Sequence, residues 1–322
     1  MASPRLLSIV VPCYNAGAAI VTLMQMIAAQ LDDDCELIVV NDGSTDHTGH
    51  ALRGFAKSHR GPGHIHIEET ANAGAARARA TGLAMSTGEF VYFCDSDDVM
   101  QADFVACFRA SVLRYPALDM LFFSSDMAVE QADGSLQRLR AKLHYAEAHV
   151  FADGAALLDY NLRHRMYSAA VWTYVARRAL IERSGASFTH RHAHEDHLFT
   201  LRALIGAVLV VAVPDTLYVQ RVRPGSLTNS SKTSAYLLDR IRAFDEADAF
   251  LRAHRIGARA LYQLWSFEAI YSMLKAHRSL LPAVLFSKTG AVYAVRHIPA
   301  LWALLVAKMR RAAQRAPLHP TR

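Results

Sequence analysis

The stretch Gly88-Glu89-Phe90-Val91-Tyr92-Phe93-Cys94-Asp95-Ser96-Asp97-Asp98 joins a short apolar run to three carboxylates within four residues. An aromatic-rich run of this length after Gly is typical of a buried β-strand, so the carboxylates are expected where the strand leaves the sheet. Such a cluster is unfavourable unless a cation neutralises it, and oxygen ligands of this kind suit Mg²⁺ or Mn²⁺. The alternative interpretation is a solvated acidic turn in which Asp98 caps a helix that starts near Gln101.

Strands and helices alternate along the first hundred residues. Continuous apolar, β-branched runs predict strands, and the segments between them carry apolar residues at helical spacing or are rich in Ala. The predicted strands are 6–12, 36–40, 64–67 and 88–94, and the helices between them are 18–31, one ending near 58, and one ending at 85. This alternation predicts an α/β fold with a mostly parallel, Rossmann-like sheet that is covered by helices on both faces.

Polar residues follow each predicted strand. They are Asn15, Asp42, Asn72 and the segment 95–98. In parallel sheets the carboxyl ends of the strands share one edge, and ligands bind there. The turn after the first strand lacks GxGxxG, and a P-loop is also absent. A divalent cation at the carboxylates is therefore the expected way to hold a diphosphate.

Several motifs, taken in order, resemble those of family 2 glycosyltransferases of the GT-A fold. They are Val10-Val11-Pro12-Cys13-Tyr14-Asn15, Asn41-Asp42-Gly43-Ser44-Thr45-Asp46, the helix from Asn72-x-Gly74 through Arg79 to Gly82, Asp95-Ser96-Asp97-Asp98, and His194-Glu195-Asp196. The resemblance covers roughly residues 6–228. It implies a GT-A fold and transfer of sugar from a nucleoside-diphosphate donor, with a UDP-sugar favoured.

The resemblance also implies roles for individual residues. Asp42 is expected to bind the uracil of a UDP-sugar, and Asp95 to lie near the ribose, the diphosphate and the metal. Asp97 is the expected metal ligand. The other residues expected at the donor are Pro12, Tyr14, Asn15, Asn72, Gly74, Arg79 and Ser96. Asn41 stands where the family usually has Asp, and Ala80 where Asn is common, so the choice of nucleotide stays open.

The segment Phe188–His197 places four histidines around Glu195 and Asp196. Its spacing does not match HExxH, so a zinc site is the less favoured interpretation. Glycosyl transfer needs a group that takes the proton of the acceptor hydroxyl. The resemblance gives this role to Asp196, with Glu195 beside the acceptor, and a single direct displacement inverts the anomeric centre. The alternative is that Asp196 only caps the helix that follows.

The acceptor pocket is expected to include His194 and Trp172, although an aromatic at the position of Trp172 is more often plain core. By resemblance, Arg223 contacts the diphosphate. Its alternative is a solvated side chain on a Pro-Gly loop. The region between Ser125 and Ala152 is expected to be rich in loops, with a hairpin turn at Asp133-Gly134.

The excess of positive charge comes from the end of the chain. The net charge is +6, and residues 269–322 contain nine Lys or Arg but no Asp or Glu. The apolar run Ile298–Ala307 is too short to span a bilayer, but with the basic cluster after it the run suits a helix on an anionic membrane surface. The alternative is a helix packed on the catalytic domain.

Composition sets the remaining expectations. With 52% hydrophobic and 20% charged residues, the chain is typical of a globular protein. The four cysteines are far apart and are expected to be buried free thiols. Strand-like sequence directly after Arg5 leaves no room for a signal peptide, so a cytoplasmic location is expected, with peripheral attachment to the inner face of the cell membrane as an option.

The predicted organisation is a GT-A domain at 1–230, with its nucleotide-binding part at about 1–100 and its acceptor part at about 101–230, and a helical basic region at 231–322. The predicted function is metal-dependent, inverting glycosyl transfer to a saccharide or lipid-linked acceptor in cell-surface glycan synthesis. The alternatives are a metal-dependent nucleotidyltransferase and a non-catalytic module that binds nucleotide sugars or a membrane. No nucleic-acid partner is expected.

Overall fold

The computed structural model describes residues 5–131, 135–191, 193–222, 232–296 and 298. The chain divides into two compact units, Met1–Ser231 and Lys232–Arg322. The described strands all belong to the first unit, and the described part of the second unit is helical.

The first unit is built on one mixed sheet. Its described strands are β1 (Leu7–Cys13), β2 (Cys35–Asp42), β3 (His64–Thr70), β4 (Phe90–Phe93), β5 (Val99–Met100), β6 (Met120–Glu130), β7 (Leu136–Leu143), β8 (His149–Phe151), β9 (Tyr174–Arg177) and β10 (Val210–Val222). Its described α-helices are α1 (Ala19–Ala28), α2 (Thr48–Ser58), α3 (Ala75–Met85), α4 (Phe104–Arg114), α5 (Gly154–Arg163), α6 (Arg178–Ser184) and α7 (His197–Gly206).

The strand order is β3-β2-β1-β4-β9-β6-β10-β5, with β7 beside β6 and β8 beside β10. The neighbours β3, β2, β1 and β4 are parallel, which confirms the prediction for the first hundred residues. β9 lies antiparallel between β4 and β6, and β6 and β10 are again parallel. The carboxyl ends of β1, β2 and β4 therefore share one edge.

Helices cover both faces of the parallel strands, as the sequence predicted. Along β2 successive side chains point to opposite faces. Ile38 and Val40 pack with Ala78 of α3. Leu37 and Val39 belong to the main core, together with the apolar side of α1. All of β2 is buried, because helices cover the side chains on both of its faces.

The cysteines match their expectation. All four are free, and Cys13, Cys35 and Cys94 are buried while Cys107 is partly buried. Burial is the main cause that raises the pKa of the Cys13 and Cys35 thiols to about 12. Buried thiols of high pKa are poor nucleophiles, so these side chains are part of the packing.

The region after Ser125 was predicted to be rich in loops, and that prediction is wrong. β6 continues to Glu130, and β7 pairs with it in antiparallel register. The described side chains of β7 are mostly exposed, so its sequence is largely polar and does not show the pattern of a buried strand. The strand is held in place by backbone pairing with β6. Asp133-Gly134 lies outside the described residues. The apolar segment 171–175 predicts a short strand, but the structure has a 3₁₀ turn at Val171–Thr173, and β9 begins only at Tyr174.

The second unit contains α8 (Ser234–Ala253), α9 (Arg259–Ala276), α10 (Leu281–Phe286) and α11 (Lys288–Arg296). Thr233 caps α8, because its hydroxyl accepts a hydrogen bond from the Tyr236 amide at 3.2 Å. None of the helices in the described ranges has both the length and the apolar character that a bilayer crossing needs. Most of the predicted membrane-surface segment, 298–315, lies outside the described residues.

Candidate active site

The acidic turn after β4 is divided between exposed and buried carboxylates. Asp95, Ser96 and Asp97 are partly exposed, whereas Asp98 is buried. Asp98 accepts hydrogen bonds from the Tyr218 hydroxyl at 2.6 Å and from the Arg221 amide at 2.7 Å. It therefore ties the turn to β10 and does not cap a helix, which removes the alternative considered for it. Burial, followed by the charges of Asp95 and Asp97, raises the pKa of Asp98 well above its usual range.

Trp172 supports this turn from the core. Its ring is stacked on the ring of Tyr218 with a centroid distance of 4.6 Å and an interplanar angle of 13°. The residue is only 3% exposed, and its carbonyl accepts a hydrogen bond from the Tyr92 hydroxyl at 3.2 Å. This burial corrects the expectation that Trp172 lines the acceptor pocket. The ring holds Tyr218, which in turn holds Asp98.

Arg79 joins the two acidic motifs of the chain. One guanidinium nitrogen donates to Oδ1 of Asp95 at 2.7 Å, and another donates to Oε1 of Glu195 at 2.6 Å. The Arg79 side chain is only 9% exposed. Although burial opposes it, the charges of Asp95 and Glu195 raise the pKa of the guanidinium. The motifs that contain Asp95 and Glu195 lie a hundred residues apart in sequence, and both contact the guanidinium of Arg79.

Asp196 lies at the start of α7 beside this ion-pair cluster. It occupies the N-cap position, but its side chain makes no capping hydrogen bond, so the alternative of a simple cap is not what the structure shows. Burial and the charge of Glu195 raise the pKa of Asp196 to about 8, while Arg79 opposes the rise. A carboxyl group with a pKa near neutrality suits general base catalysis.

Asp42 anchors the loop that precedes α3. Its two carboxylate oxygens accept hydrogen bonds from the amides of Ala73 and Gly74 at 2.9 and 2.8 Å. Gly43 follows with φ of 68°, and a Cβ there would lie 2.6 Å from the Asn72 amide nitrogen, so the close approach needs glycine. Asp42 therefore positions the segment 72–74. Each oxygen keeps a further lone pair for a ligand.

Asn15 connects the turn after β1 to the turn after β2 through hydrogen bonds. It has a φ of 47°, and its side-chain oxygen accepts a hydrogen bond from the Thr45 amide at 2.8 Å. Its own amide donates to the Ser44 hydroxyl at 2.9 Å. Tyr14 is exposed next to it, and Pro12 is buried in β1. The predicted donor residues of β1 and β2 thus form one connected edge.

Four residues that support this site were given no individual role from the sequence, although Ser44 and Thr45 lie in the motif 41–46. Ser44 and Thr45 fasten Asn15, Tyr218 holds Asp98, and the Arg221 guanidinium donates to the Asp97 carbonyl at 2.7 Å. The signal that could have found Tyr218 and Arg221 was their place shortly before Arg223, the residue chosen in this segment. Arg223 lies outside the described residues.

The histidine-rich segment does not form a metal cluster among the described residues, of which His192 is not one. His194 is partly exposed, with a φ of 61°. In the described ranges the group of potential ligands close enough to share an ion is Asp32, Asp34 and Cys35, at the start of β2. Arg109 already pairs with both of these carboxylates. The structure therefore gives no support to zinc at the histidines.

The turn after β4 has donors that fit Mg²⁺ or Mn²⁺. Asp95 and Asp97 are partly exposed carboxylates at the edge where ligands bind, and no described residue joins them in a three-ligand group. These cations take one or two protein carboxylates and complete their shell with water and phosphate oxygens. Asp95 and Asp97 therefore supply carboxylate oxygens of the kind that these cations take, although one oxygen of Asp95 is also paired with Arg79.

Residues 8–117 match the family model described as Glycosyl transferase family 2. The chain is 31% identical over 235 residues to "Uncharacterized glycosyltransferase EpsJ" of Bacillus subtilis (strain 168), covering 69% of this chain and 63% of that protein. The chain thus spans less than two thirds of the length of this relative.

Two solved structures share the fold. TarS 1-349 of S. aureus in complex with UDP-GlcNAc has a TM-score of 0.67 at 20% identity, covering 92% of this chain and 81% of that one. The mannosyltransferase PcManGT from Pyrobaculum calidifontis, in complex with GDP-Man and Mn²⁺, has a TM-score of 0.52 at 23% identity, covering 96% and 86%. These likenesses confirm the GT-A fold that the motifs predicted.

Proposed function

Because this chain belongs to glycosyl transferase family 2, we propose that it transfers a sugar from a nucleoside-diphosphate donor to an acceptor hydroxyl. The observation that carries the proposal is the double ion pair of Arg79 with Asp95 and Glu195. It brings the predicted donor motif and the predicted acceptor motif to one point at the carboxyl edge of the sheet, where ligands of such folds bind.

The proposed donor is a UDP-sugar. The residues assigned to it are Pro12, Tyr14, Asn15, Asp42, Asn72, Gly74, Arg79, Asp95 and Ser96. The hydrogen bonds of Asp42 to the segment before α3, and of Asn15 to the turn after β2, hold this edge in a fixed shape. The UDP-GlcNAc complex of TarS supports a uridine nucleotide. Arg223 is assigned to the diphosphate on motif alone.

Asp97 and Asp95 are the proposed ligands for Mn²⁺ or Mg²⁺. When bound, the cation offsets the negative charge of the departing diphosphate. The complex of PcManGT with GDP-Man and Mn²⁺ supports this assignment. Arg221 donates to the Asp97 carbonyl, and so it keeps the peptide of that ligand in place.

Asp196 is the proposed general base, with Glu195 as its neighbour at the acceptor and His194 at the pocket wall. The acceptor O–H proton passes to the Asp196 carboxylate as the oxygen bonds to the anomeric carbon. The bond from that carbon to the diphosphate breaks in the same displacement, and the anomeric centre inverts. Arg79 holds Glu195, and so fixes the start of α7 relative to the donor.

The proposed acceptor is a saccharide or a lipid-linked saccharide in cell-surface glycan synthesis. We also propose a peripheral location at the inner face of the cell membrane. The nine Lys or Arg and the absence of acidic residues in 269–322 support attraction to anionic lipid.

Release of nucleoside diphosphate from a panel of UDP- and GDP-sugars, with Mn²⁺ or Mg²⁺, tests the reaction. Release of UDP supports the proposal, release of pyrophosphate indicates a nucleotidyltransferase, and binding without turnover indicates a non-catalytic module. Asp97→Ala should weaken metal-dependent donor binding about tenfold or more. The matched control is Asp103→Ala, because Asp103 is exposed just before α4 and its side chain caps nothing. Donor binding of wild-type strength in Asp97→Ala would refute the metal assignment.

A further inference from the structure

Helices α10 and α11 expose a group of large apolar side chains, which we call the apolar face. Phe286 is 87% exposed and Val295 is 69% exposed. The complete set of large exposed apolar residues here is Leu281, Leu285, Phe286, Val292, Val295 and Ile298. Val292 and Val295 are spaced three apart and so lie on one side of α11.

The opposite side of the same helix pair is firmly packed. Gly290 of α11 approaches α10 so closely that a Cβ there would lie 2.5 Å from the Val284 backbone. Val284 and Tyr293 are buried, and Arg296 forms an ion pair with Asp245 of α8 at 2.7 Å. The helix pair is therefore held through its inner side, and the apolar face is the outer surface of a formed structure.

The cations beside the apolar face outnumber the carboxylates. Asp245 and Glu246 of α8 line the same pocket as Lys288 and Val292, but Asp245 is paired with Arg296. Lys275, Arg278 and Lys288 are exposed at the end of α9, just after it and at the start of α11. From residue 269 to the end of the sequence there is no Asp or Glu. A surface that joins exposed Phe and aliphatic side chains to an excess of cations is complementary to the interface of an anionic bilayer.

We propose that the apolar face inserts into the headgroup region of an anionic membrane while Lys275, Arg278 and Lys288 contact lipid phosphates. The inference rests on the peripheral location proposed above and is independent of the transfer reaction. It assigns the contact to described helices, α10 and α11, which precede most of the apolar run seen in the sequence. The helices lie on the bilayer and do not cross it.

A second copy of the chain is the competing occupant of the apolar face. A symmetric dimer through this surface would bring the same basic residues of two copies together. Of the two carboxylates near the face, Asp245 is already paired with Arg296, so that arrangement still concentrates positive charge. Anionic lipid removes the repulsion, and so it is the occupant that the charges favour.

Flotation of the full chain with vesicles tests the inference. Wild type should float with mixed phosphatidylcholine–phosphatidylglycerol vesicles and not with phosphatidylcholine alone. Phe286→Glu with Val295→Glu should weaken the partition at least about tenfold, since two apolar contacts are lost. Leu113→Glu with Val208→Glu is the matched control, because these side chains in the first unit are 82% and 69% exposed. The control should float like wild type.

The inference is overturned if the Phe286/Val295 variant floats like wild type, or if the control loses flotation equally. It is also overturned if wild type ignores anionic vesicles and shows a concentration-dependent dimer that the Phe286/Val295 variant lacks. Release of UDP from a donor sugar, measured without vesicles, should be equal in all three proteins. Loss of that activity in wild type would count against the proposed reaction alone and would leave the vesicle result standing.

Discussion

Two arginines of the first unit each bridge a pair of carboxylates, at opposite ends of the parallel strands. At the carboxyl ends, Arg79 pairs with Asp95 and Glu195. At the amino end of β2, Arg109 pairs with Asp32 and Asp34. Arg79 is 9% exposed and Arg109 is 28% exposed. The same side-chain chemistry therefore occurs in a buried and in a solvated setting.

The two clusters differ in their balance of charge. Hydrogen bonds from Arg109 are the main cause that lowers the pKa of Asp34 to about 2. At the other end Arg79 faces a third carboxyl, Asp196, whose pKa is raised to about 8 by burial and by the charge of Glu195. A cluster whose arginine keeps its carboxylates charged stabilises the fold. A buried cluster with more carboxylates than its one arginine can neutralise costs stability, and such a cost is typical of a functional site.

The largest expected effect comes from removing the third carboxylate. Asp196→Asn should lower kcat for sugar transfer by about 10²–10⁴-fold, because the acceptor proton then has no base. Donor affinity should stay within about twofold, since the assigned donor residues are untouched. Asp34→Asn is the control at the solvated cluster and should keep wild-type kcat. Initial rates and calorimetric donor titration measure both quantities, and a wild-type kcat in Asp196→Asn would remove the assigned role.

The next effect compares the two arginines. Arg79→Gln should lower kcat/KM about 10²-fold, because the donor and acceptor motifs lose their shared partner and their relative position. Arg79→Lys should not restore it, since one ammonium lacks the fork that contacts two carboxylates. Arg109→Gln should change kcat/KM less than about twofold at the solvated pair. Equal losses in Arg79→Gln and Arg109→Gln would show that both bridges act only through folding, and circular dichroism should verify that each variant is folded.

The sequence predicted the buried strands that consist almost wholly of apolar residues. Runs such as 6–12 and 36–40 are apolar except for Ser8 and Glu36, and parallel order follows from the helices between them. Polar β7 escaped prediction because its pairing with β6 comes from backbone hydrogen bonds and leaves no apolar pattern. The same limit explains the 3₁₀ turn at Val171–Thr173, where local apolar sequence suits either state.

The candidate site was predictable as a set of motifs and not as a set of contacts. The resemblance placed Asp95, Glu195 and Asp196 in one site, but the bridge by Arg79 depends on how α3 packs against β1 and β2. Likewise, no local pattern reveals that Trp172 faces Tyr218 and not the acceptor. A motif predicts which residues belong to the site. The direction of each side chain, and so its contacts, depends on tertiary packing.

A smaller effect concerns stability and pH at the buried cluster. The pKa of Asp196 is about 8 when folded and close to 3.9 when unfolded. Between these values the folded state binds more protons, so this group makes stability fall as pH rises. Asp196→Asn should therefore be more stable than wild type at pH near 8, by on the order of 1–2 kcal/mol, and should show little difference near pH 4. Urea denaturation at both pH values tests this, and an unchanged or lower free energy of unfolding at the higher pH contradicts it.

The smallest effect has the opposite sign and belongs to the solvated cluster. Hydrogen bonding to Arg109 holds the Asp34 pKa at about 2, below its unfolded value, so its charge adds stability above pH near 4 that is lost as pH falls through about 2. The Asp34 side chain is 43% exposed, and solvent screening therefore limits this contribution to about 0.5 kcal/mol. Asp34→Asn should be less stable than wild type at neutral pH by this amount, and the difference should shrink in high salt. If Asp34→Asn and Asp196→Asn instead shift the free energy of unfolding in the same direction near pH 8, the two clusters do not differ in charge balance.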